Sequence, residues 1–417
     1  MEQVKYTKTV PVIGAYDVVI CGAGPAGWVA AVSCARRGKH TALIESLAFP
    51  GGGAAMTYVA PICGVFHEET RMLHGIGWEF VQGLIAAGAA RVEHAPPEVP
   101  IGPHNYRGNV SYHPEYYKLH CAEMLRRAGV EMFTNCRVID CDCENGHVSR
   151  VYFAGKNGIE ALDCAHVIDA TGDGTLAKLA GVPMLDNDNL LPMSLCFLLE
   201  GADTSTPLLG EYIHHDGRTF NGSNPVIHDY LIEYGRKHPE LPQFGGPWFV
   251  SLIKGSLLSV VMTRRRGDGA DREQLTRTEL LLQRDAFALV DALREGFPEF
   301  WNAEIAAIAP MAGIRETGRI RGVHTLTQEE VLEAKSFDDV IAWCAHPMDF
   351  HSPIDNSQRL IPLEKPAPIP FETVIAPGFD NLYAVGRCSS LTGGAYASAR
   401  VQATCMMMGE NAAKHIR

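Results

Sequence analysis

The stretch "YDVVICGAGPAGWVAAVSCARRGKHTALIES" (residues 16–46) predicts a strand, a turn, a helix and a second strand. Gly22, Gly24 and Gly27 form the pattern G-x-G-x-x-G directly after the apolar run that ends at Cys21. The first glycine permits a tight turn, and the second lets a pyrophosphate approach the backbone. The third allows the helix to pack closely on the strand. The stretch therefore predicts a Rossmann-like α/β unit that binds a dinucleotide.

Two further features of this stretch support nucleotide binding. The helix that opens at Pro25 and Ala26 presents free backbone N–H groups and its positive dipole end to the phosphates. The second strand ends at Glu45, about 20 residues past the glycines, where a carboxylate can bind the adenosine ribose and repel a 2′-phosphate. A glycine pattern alone is weak, but together with the helix, the strand and the acid it indicates a nucleotide site.

Size and composition exclude several classes of protein. A chain of 417 residues is too long for one small core, so we expect two intertwined domains. The formal net charge of -12 argues against a nucleic-acid partner. The apolar run at residues 16–35 holds spaced glycines and ends in Arg36 and Arg37, unlike a signal peptide. We therefore expect a cytoplasmic protein with no membrane span.

The 12 cysteines indicate structural thiols in a reducing compartment. Several lie in apolar runs, where cysteine behaves as a small hydrophobic residue. Cys141 and Cys143 are spaced C-x-C, but no second pair stands at zinc-finger distance, so no metal site is predicted. No C-x-x-C or C-x4-C pair follows the glycines, which disfavours disulfide chemistry.

Three later segments resemble known flavoproteins. "CAHVIDATGDGTLAKLAG" (residues 164–181) and "NLYAVGRCSSLTGGAYASARVQATCMMMGENAA" (residues 381–413) resemble elements of the glutathione-reductase-like FAD-binding fold. "GIRETGRIRGVHTLTQEEVLEAKSFDDVIAWCAHPMDFH" (residues 313–351) resembles a signature of the FAD-dependent oxidoreductase family, distantly akin to fumarate reductase flavoproteins. The resemblance implies that the cofactor is FAD. A second G-x-G-x-x-G is missing, which disfavours a dedicated NAD(P) domain.

The resemblance also implies how the chain is organised. We expect an α/β fold in which a Rossmann-like, glutathione-reductase-like FAD-binding domain is interrupted by an inserted α+β substrate domain. Residues 1–184 would form the first part of the FAD-binding domain, and residues 185–310 the substrate domain. Residues 311–417 would return to close the flavin site. We expect the active site in the cleft between the two domains.

The predicted cofactor site extends beyond the first glycine turn. The run Gly51-Gly52-Gly53 follows Glu45 closely, so we interpret it as a wall of the cofactor groove and not as a flexible linker. Arg387 could contact a phosphate or form a surface ion pair. We expect the helix that begins near residues 393–395 to point its N-terminus at the flavin ring. The residues predicted to bind FAD are Gly22, Ala23, Gly24, Pro25, Ala26, Gly27, Glu45, Ser46, Gly51, Gly52, Gly53, Val138, Ala170, Thr171, Gly172, Asp173, Gly386, Arg387, Arg400 and Val401.

Candidates for proton transfer lie near the end of the third segment. His351 is the first candidate, although a histidine held in a loop explains it equally well, and His346 is a weaker one. Tyr396 stands where similar proteins carry a histidine. Tyr58 follows the triple glycine and could face the flavin, as could its neighbours Cys63 and His67, of which Cys63 or His67 could bind the flavin covalently.

Arginines supply the candidates for substrate binding. Arg315 and Arg319 could hold a substrate carboxylate or form a buried ion pair with Glu316. The segment "TRRRGDG" (residues 263–269) is predicted to be a solvated turn, although its arginines could also bind an anion. The predicted catalytic residues are His351, Arg315, Tyr396 and Tyr58.

These features predict an FAD-dependent oxidoreductase that transfers a hydride between a small organic substrate and flavin N5. The electron acceptor would be a quinone, oxygen or another protein, and we expect a homo-oligomer. The chain could instead be an FAD-dependent monooxygenase or a flavin-containing maturation factor. NAD(P)H-coupled hydroxylation would favour the monooxygenase. Bound FAD without turnover would favour the maturation factor.

Overall fold

The computed structural model describes residues 4–92, 109–186, 190–210 and 222–416. The strands in this part of the chain are β1 (Val12–Cys21), β2 (Thr41–Ile44), β3 (Pro61–Ile62), β4 (Phe66–His67), β5 (Thr70–Arg71), β6 (Ala90–Val92), β7 (Val110–Tyr112), β8 (Glu131–Phe133), β9 (Arg137–Glu144), β10 (His147–Gly155), β11 (Gly158–Asp169), β12 (Phe197–Glu200), β13 (Gly222–Ser223), β14 (Phe244–Ser251), β15 (Leu258–Thr263), β16 (Glu304–Ile308), β17 (Val340–Cys344), β18 (Met348–His351), β19 (Gln358–Ile361), β20 (Ala367–Pro370) and β21 (Leu382–Ala384).

The α-helices in the same ranges are α1 (Pro25–Arg36), α2 (Gly53–Met56), α3 (Gly75–Ala86), α4 (Pro114–Ala128), α5 (Thr175–Leu179), α6 (Pro207–Gly210), α7 (Pro225–Lys237), α8 (Arg272–Gly296), α9 (Gln328–Leu332), α10 (Gly393–Ala399) and α11 (Gln402–Lys414). None of the helices in these described ranges is both long enough and apolar enough to cross a membrane.

A mixed sheet with the order β8-β2-β1-β11-β10-β9 forms the base of the molecule. β8, β2, β1 and β11 run parallel, and β21 joins β11, also in parallel. The last four residues of β1 are fully buried, as expected for a central parallel strand that is covered on both faces. The predicted strand–turn–helix–strand unit is therefore confirmed, since α1 begins at Pro25 and β2 follows it.

The far end of the chain completes this sheet. β21 pairs with β11 so that Ala384 lies beside Asp169. The C-terminal helix α11 packs against α1 at very close range, because a side chain on Gly409 would overlap the Ala26 carbonyl oxygen. Two segments almost four hundred residues apart thus share one core, because the chain returns to this sheet near its end.

A second layer is built around a sheet with the order β13-β14-β15-β12-β16, in which all neighbours are antiparallel. The long helix α8 begins after Asp271, whose side chain accepts a hydrogen bond from Gln274 N at 2.7 Å. Apolar residues of α7 and α8 cover one face of this sheet in a separate core. The other face, through β14 and β15, borders the cavity described next.

Candidate active site

A cavity of about 610 Å³ lies at the carboxyl ends of β1, β2, β11 and β21 and reaches across to β14 and β15 of the second sheet. In open α/β sheets this edge is where ligands bind. Most residues predicted to bind the cofactor line it: Gly22, Gly24, Pro25, Ala26, Glu45, Ser46, Gly52, Gly53, Val138, Ala170, Thr171, Gly172, Asp173, Gly386, Arg387, Arg400 and Val401. We call the part around Gly24 and Glu45 the glycine end.

The three glycines of the first turn play separate structural roles. Gly22 has a φ of 98°, and a side chain there would lie 2.5 Å from the Ala170 carbonyl oxygen. A side chain on Gly27 would overlap the Gly22 carbonyl oxygen. At Gly24, among the described residues other than its own chain neighbours, no atom lies within 4 Å of the place that a Cβ would occupy. The second glycine therefore borders open space, which is the space that a pyrophosphate needs.

Glu45 ties the second strand to this turn. One carboxylate oxygen accepts a hydrogen bond from Ala23 N at 2.6 Å, and the other accepts one from Leu47 N at 2.8 Å. The side chain is buried and still lines the cavity. It is thus fixed in place before any ribose arrives.

The triple glycine is fixed backbone. Gly51 N donates a hydrogen bond to the Ala23 carbonyl oxygen at 2.8 Å, and Gly52 has a φ of 52° as the residue that caps α2. A side chain on Gly52 would lie 2.7 Å from Gly24 Cα, so the two glycine turns pack against each other. Gly52 and Gly53 line the cavity as a wall would.

Three of the residues predicted to bind the cofactor lie behind the cavity wall. Ala23 contributes its N–H to Glu45, and Gly27 allows α1 to approach the turn. Gly51 packs toward Tyr117, at 3.2 Å from the position of a Cβ. These residues shape the turn from behind, and their contact with FAD stays a prediction.

Arg387 forms a partly buried ion pair and not a surface one, while its contact with a phosphate stays a prediction. It lines the cavity, and its Nη2 lies 3.1 Å from Asp173 Oδ1, which also accepts a hydrogen bond from the Thr317 hydroxyl at 2.6 Å. Burial opposes its charge, but the Asp173 carboxylate outweighs burial and raises the pKa of Arg387 above its usual range. Its Nη1 is buried without a hydrogen-bond partner in the described part of the chain.

The helix whose N-terminus borders the cavity is α11 and not α10. α10 begins at Gly393 as predicted, but neither its first residues nor Tyr396 line the cavity. The helical conformation ends after α10, and a separate helix, α11, begins at Gln402 with Val401 as its N-cap residue. Val401 and Gln402 line the cavity, so the helix N-terminus at the site belongs to α11.

At the opposite end of the cavity, side chains from four segments form a charged network. His351 Nε2 lies 2.7 Å from Asp349 Oδ2, and Arg264 Nη2 lies 3.1 Å from His351 Nδ1. Arg400 Nη2 donates to the Asp349 carbonyl oxygen at 2.9 Å and lies 3.3 Å from its Oδ2. Arg315 completes the group. We call the part of the cavity formed by Arg264, Arg315, Asp349, His351 and Arg400 the arginine end.

The network fixes the protonation of His351. Arginine only donates, so Nδ1 must accept from Arg264, and the ring proton sits on Nε2 facing Asp349. Burial is the main reason that the pKa of His351 falls to about 3, so the ring is neutral at pH 7. Burial raises the pKa of Asp349, but His351 and Arg400 outweigh burial and keep the carboxyl ionised.

Arg315 and His346 border the same end. Arg315 Nη1 donates to the Pro192 carbonyl oxygen at 2.7 Å and to the Ser194 hydroxyl at 2.8 Å. Burial, followed by the charges of Arg400 and Arg264, lowers the pKa of Arg315 to about 9. His346 Nδ1 lies 2.7 Å from the Pro347 carbonyl oxygen, so Nδ1 carries the proton and the lone pair is on Nε2.

With this geometry in place, the comparison with known families decides the assignment. The model of the family described as FAD dependent oxidoreductase matches residues 17–416. The chain belongs to this family. It is an oxidoreductase, and its cofactor is FAD. The open space at Gly24 and the unpartnered Nη1 of Arg387 are features of this cavity that fit a bound pyrophosphate.

Individual relatives of the oxidoreductase are distant. It is 32% identical over 84 residues to dihydrolipoyl dehydrogenase from Trypanosoma brucei brucei, a match that spans 20% of this chain and 17% of that protein. A flavoprotein/dehydrogenase from Cytophaga hutchinsonii is 14% identical, with a TM-score of 0.53 over 96% of this chain and 78% of the other. L-amino acid deaminase from Proteus vulgaris is 14% identical, with a TM-score of 0.51 over 97% and 96%. The two structures show a shared fold.

Two predicted catalytic residues of the oxidoreductase lie away from the cavity. Tyr396 is fully buried, and its hydroxyl donates to the Arg315 carbonyl oxygen at 2.6 Å. Tyr58 has a φ of 55° and packs on apolar residues beside the cavity wall. Neither side chain lines the cavity, because that of Tyr396 lies in the core and that of Tyr58 packs, partly exposed, beside the wall. Their catalytic roles stay predictions.

Arg319 and the segment at residues 263–269 make ion pairs within the protein. Arg319 pairs with Glu316 at 2.9 Å, and both side chains are buried, so this arginine has a structural role. The segment at residues 263–269 is not a solvated turn. Arg264 is buried against His351, and Arg265 makes a two-pronged ion pair with Asp285 at 2.6 and 2.7 Å.

Sequence reasoning missed Arg264, Asp349 and Trp248 at the arginine end. Trp248 lines the cavity with its ring 6.0 Å from that of His351. A signal for Asp349 was available, because residues two apart in a strand share a face, and β18 carries Asp349 and His351. Arg264 and Trp248 reach the site only through the pairing of β14 with β15, which no local pattern reveals.

Proposed function

We propose that this oxidoreductase transfers a hydride between N5 of FAD and a small organic substrate bound at the arginine end. The observation that carries the proposal is that one cavity joins the two ends. Gly24 and Glu45 line it at the glycine end, while Arg315, His346 and His351 line it at the other. A cofactor and a substrate that share a cavity can react without a moving carrier.

The residues that would hold FAD are those of the glycine end. Glu45 would bind the adenosine ribose, and the free N–H groups of α1 beside Gly24 would bind the pyrophosphate. Arg387 would add a charged contact with its unpartnered Nη1. Bound FAD supplies the two-electron chemistry, so the protein has to orient the substrate and transfer a proton.

We propose His346 as the proton acceptor in place of His351. The hydrogen bond from His346 Nδ1 to the Pro347 carbonyl oxygen fixes the tautomer in which Nε2 carries the lone pair, and the ring lines the cavity. His351 engages both ring nitrogens with charged groups, one with Asp349 and one with Arg264. His351 is therefore a positioning residue, which holds the two charged groups beside it.

The finer organisation also belongs to this proposal. Residues 1–184 and 311–417 would form a glutathione-reductase-like FAD-binding domain, distantly akin to that of fumarate reductase flavoproteins. Residues 185–310 would form the substrate domain, in agreement with the second sheet. The protein would act in the cytoplasm as a homo-oligomer, with a quinone, oxygen or another protein as electron acceptor.

Anaerobic reduction of the bound flavin tests the proposal. The purified protein is mixed without oxygen with alcohols, amines, sugars and carboxylates, and the visible flavin absorption is followed. We expect one class to bleach the flavin, and oxygen or an artificial acceptor to restore it. Retained FAD with no bleaching by any compound would favour the maturation factor. Product hydroxylation coupled to NAD(P)H would favour the monooxygenase.

A further inference from the structure

The arginine end has more positive than negative charge. Arg264, Arg315 and Arg400 surround Asp349, which is the carboxylate that they share among the described residues. The geometry of the His351 network makes that ring neutral, so the ring adds no charge to this end. Buried cations without counter-ions are costly, and proteins keep them where a ligand supplies the missing charge.

Arg400 identifies where that charge is missing. Its side chain is only 9% exposed, and its Nη2 is occupied by Asp349. Its Nη1 is buried, without a hydrogen-bond partner in the ranges that the structure describes, and the residue lines the cavity. Buried donors are normally satisfied, so this one marks a place for an acceptor.

Arg315 lies at the same place with an orientation that is already fixed. Its Nη1 is held by Pro192 and Ser194 on one side of the guanidinium. It forms no ion pair with any carboxylate in the described part of the chain. A planar guanidinium held at one nitrogen can still present its other N–H groups to a planar anion in a two-pronged contact.

Much of the remaining cavity lining is apolar, and the polar Gln358 is already engaged, since its Nε2 donates to Asp349 Oδ1 at 2.6 Å. The apolar lining residues include Trp248 and Val250 of β14, Leu275 of α8, and Met311 and Ile314 of the loop after β16. Such a wall removes an apolar group from water but offers a sugar or a second charged group no partner. The ligand that fits has one anionic group and an apolar body.

We infer that the substrate is a small organic carboxylate with an apolar body, whose carboxylate is bound by Arg315 and Arg400. The inference deepens the proposed function and rests on it, because it takes the ligand of this end to be the compound that exchanges a hydride with FAD. FAD itself lies on other groups in this assignment, since its phosphates belong to the glycine end and Arg387.

Titration of the FAD-loaded protein with unreactive probes tests the inference without turnover. Benzoate is the carboxylate probe, and benzamide is its neutral counterpart of the same shape. We expect benzoate to perturb the visible flavin spectrum in a saturable manner and benzamide to leave it unchanged. Arg315→Met should weaken benzoate binding by about tenfold to a hundredfold, which is the range for losing a charge-assisted contact. Arg315→Lys should recover part of the loss.

Arg266→Met is the matched control, because Arg266 is an exposed arginine two residues from Arg264. Its benzoate affinity should equal that of the wild type. Equal binding of benzoate and benzamide by the wild type would overturn the inference even if no variant folds. Unchanged benzoate affinity in Arg315→Met would also overturn it. So would a variant that loses FAD but still binds benzoate normally.

The outcome separates this inference from the proposed function. Bleaching of the flavin by neutral alcohols or amines, with no benzoate binding, would remove the carboxylate assignment and leave hydride transfer standing. A protein that binds benzoate and is bleached by no compound would remove hydride transfer and leave an anion site.

Discussion

The two ends of the cavity are made from different parts of the chain. The glycine end is mostly backbone, and its central turn comes from one short segment, where Gly24 leaves open space and α1 begins. The arginine end consists of charged side chains, and Arg264, Arg315, Asp349 and Arg400 come from four separate segments. A backbone site depends on local conformation, whereas a side-chain site depends on how distant segments pack.

This difference has an energetic consequence. At the glycine end, a side chain at Gly24 would enter open space, so the surrounding turn can keep its conformation. At the arginine end, Asp349 is the carboxylate that His351 and Arg400 contact, so removing its charge leaves buried positive charge uncompensated. A substitution at Gly24 should therefore alter cofactor affinity, and one at Asp349 should alter stability as well.

The largest effect is expected for Asp349→Asn. Asp349 is in contact with His351 at 2.7 Å and with Arg400 at 3.3 Å, and its side chain is only 16% exposed. Removing its charge should lower the free energy of unfolding by about 3 to 5 kcal/mol, as measured by chemical denaturation. Asp291→Asn is the control, because its ion pair with Arg294 is on the surface and should matter little. Equal losses in both variants would contradict a buried network.

The histidines should differ in the rate of flavin reduction. His346→Asn removes the proposed proton acceptor and should slow reduction by about a hundredfold with the compound that bleaches the flavin. His351→Asn should mainly weaken substrate binding through Arg264 and Asp349, with a higher KM and a smaller change in kcat. The opposite pattern, with kcat lost only in His351→Asn, would return the catalytic role to His351.

At the glycine end, Gly24→Val should separate cofactor binding from folding. No atom of the described residues beyond its chain neighbours lies within 4 Å of the new Cβ, and the φ of Gly24 is -65°, so thermal unfolding of the FAD-free protein should change little. The affinity for FAD should fall by about tenfold to a hundredfold because the side chain fills the pyrophosphate space. Gly38→Ala, on the far side of α1, is a control for FAD affinity, which quenching of flavin fluorescence measures. Normal affinity in Gly24→Val would refute this position for the pyrophosphate.

Acidification should lower the free energy of unfolding through His351 at the arginine end. The pKa of His351 lies below its unfolded value of 6.5, at about 3, so its stabilising effect is complete above pH 6.5 and is lost as the pH falls toward 3. Between pH 7 and 5 the free energy of unfolding should fall by about 2 kcal/mol from this group. The fall should be smaller by this amount in His351→Asn, where His346, whose pKa burial also lowers, still contributes. It should persist in full in the control His74→Asn, whose histidine is exposed. The same slope in all three proteins would contradict the buried neutral ring.

The smallest effect is expected for Tyr396→Phe. Loss of its 2.6 Å hydrogen bond to the Arg315 carbonyl oxygen should cost about 1 kcal/mol of stability. The rate of flavin reduction should stay within about twofold of the wild-type rate, since surface and core changes away from reacting groups leave chemistry intact. A large loss of rate with unchanged stability would restore the tyrosine as a catalytic residue.

The same contrast explains what the sequence could predict. The strand, turn and helix around Gly22 and Glu45 follow from residues within one short stretch, and the structure confirms them. Arg264 was assigned to a turn because its neighbours are polar, yet strand pairing buries it. Tyr58 was chosen because it follows the triple glycine, and Tyr396 because similar proteins carry a histidine there. Neither criterion fixes the direction of a side chain.

A competition measurement tests most directly whether the cavity has two separate ends. The dissociation constant of FAD is measured with and without saturating benzoate. If the two ends hold cofactor and substrate at the same time, FAD and benzoate bind together. Benzoate should then leave the affinity for FAD unchanged or raise it. Competitive displacement of FAD by benzoate would show that the arginine end belongs to the cofactor site, which would contradict the division described here.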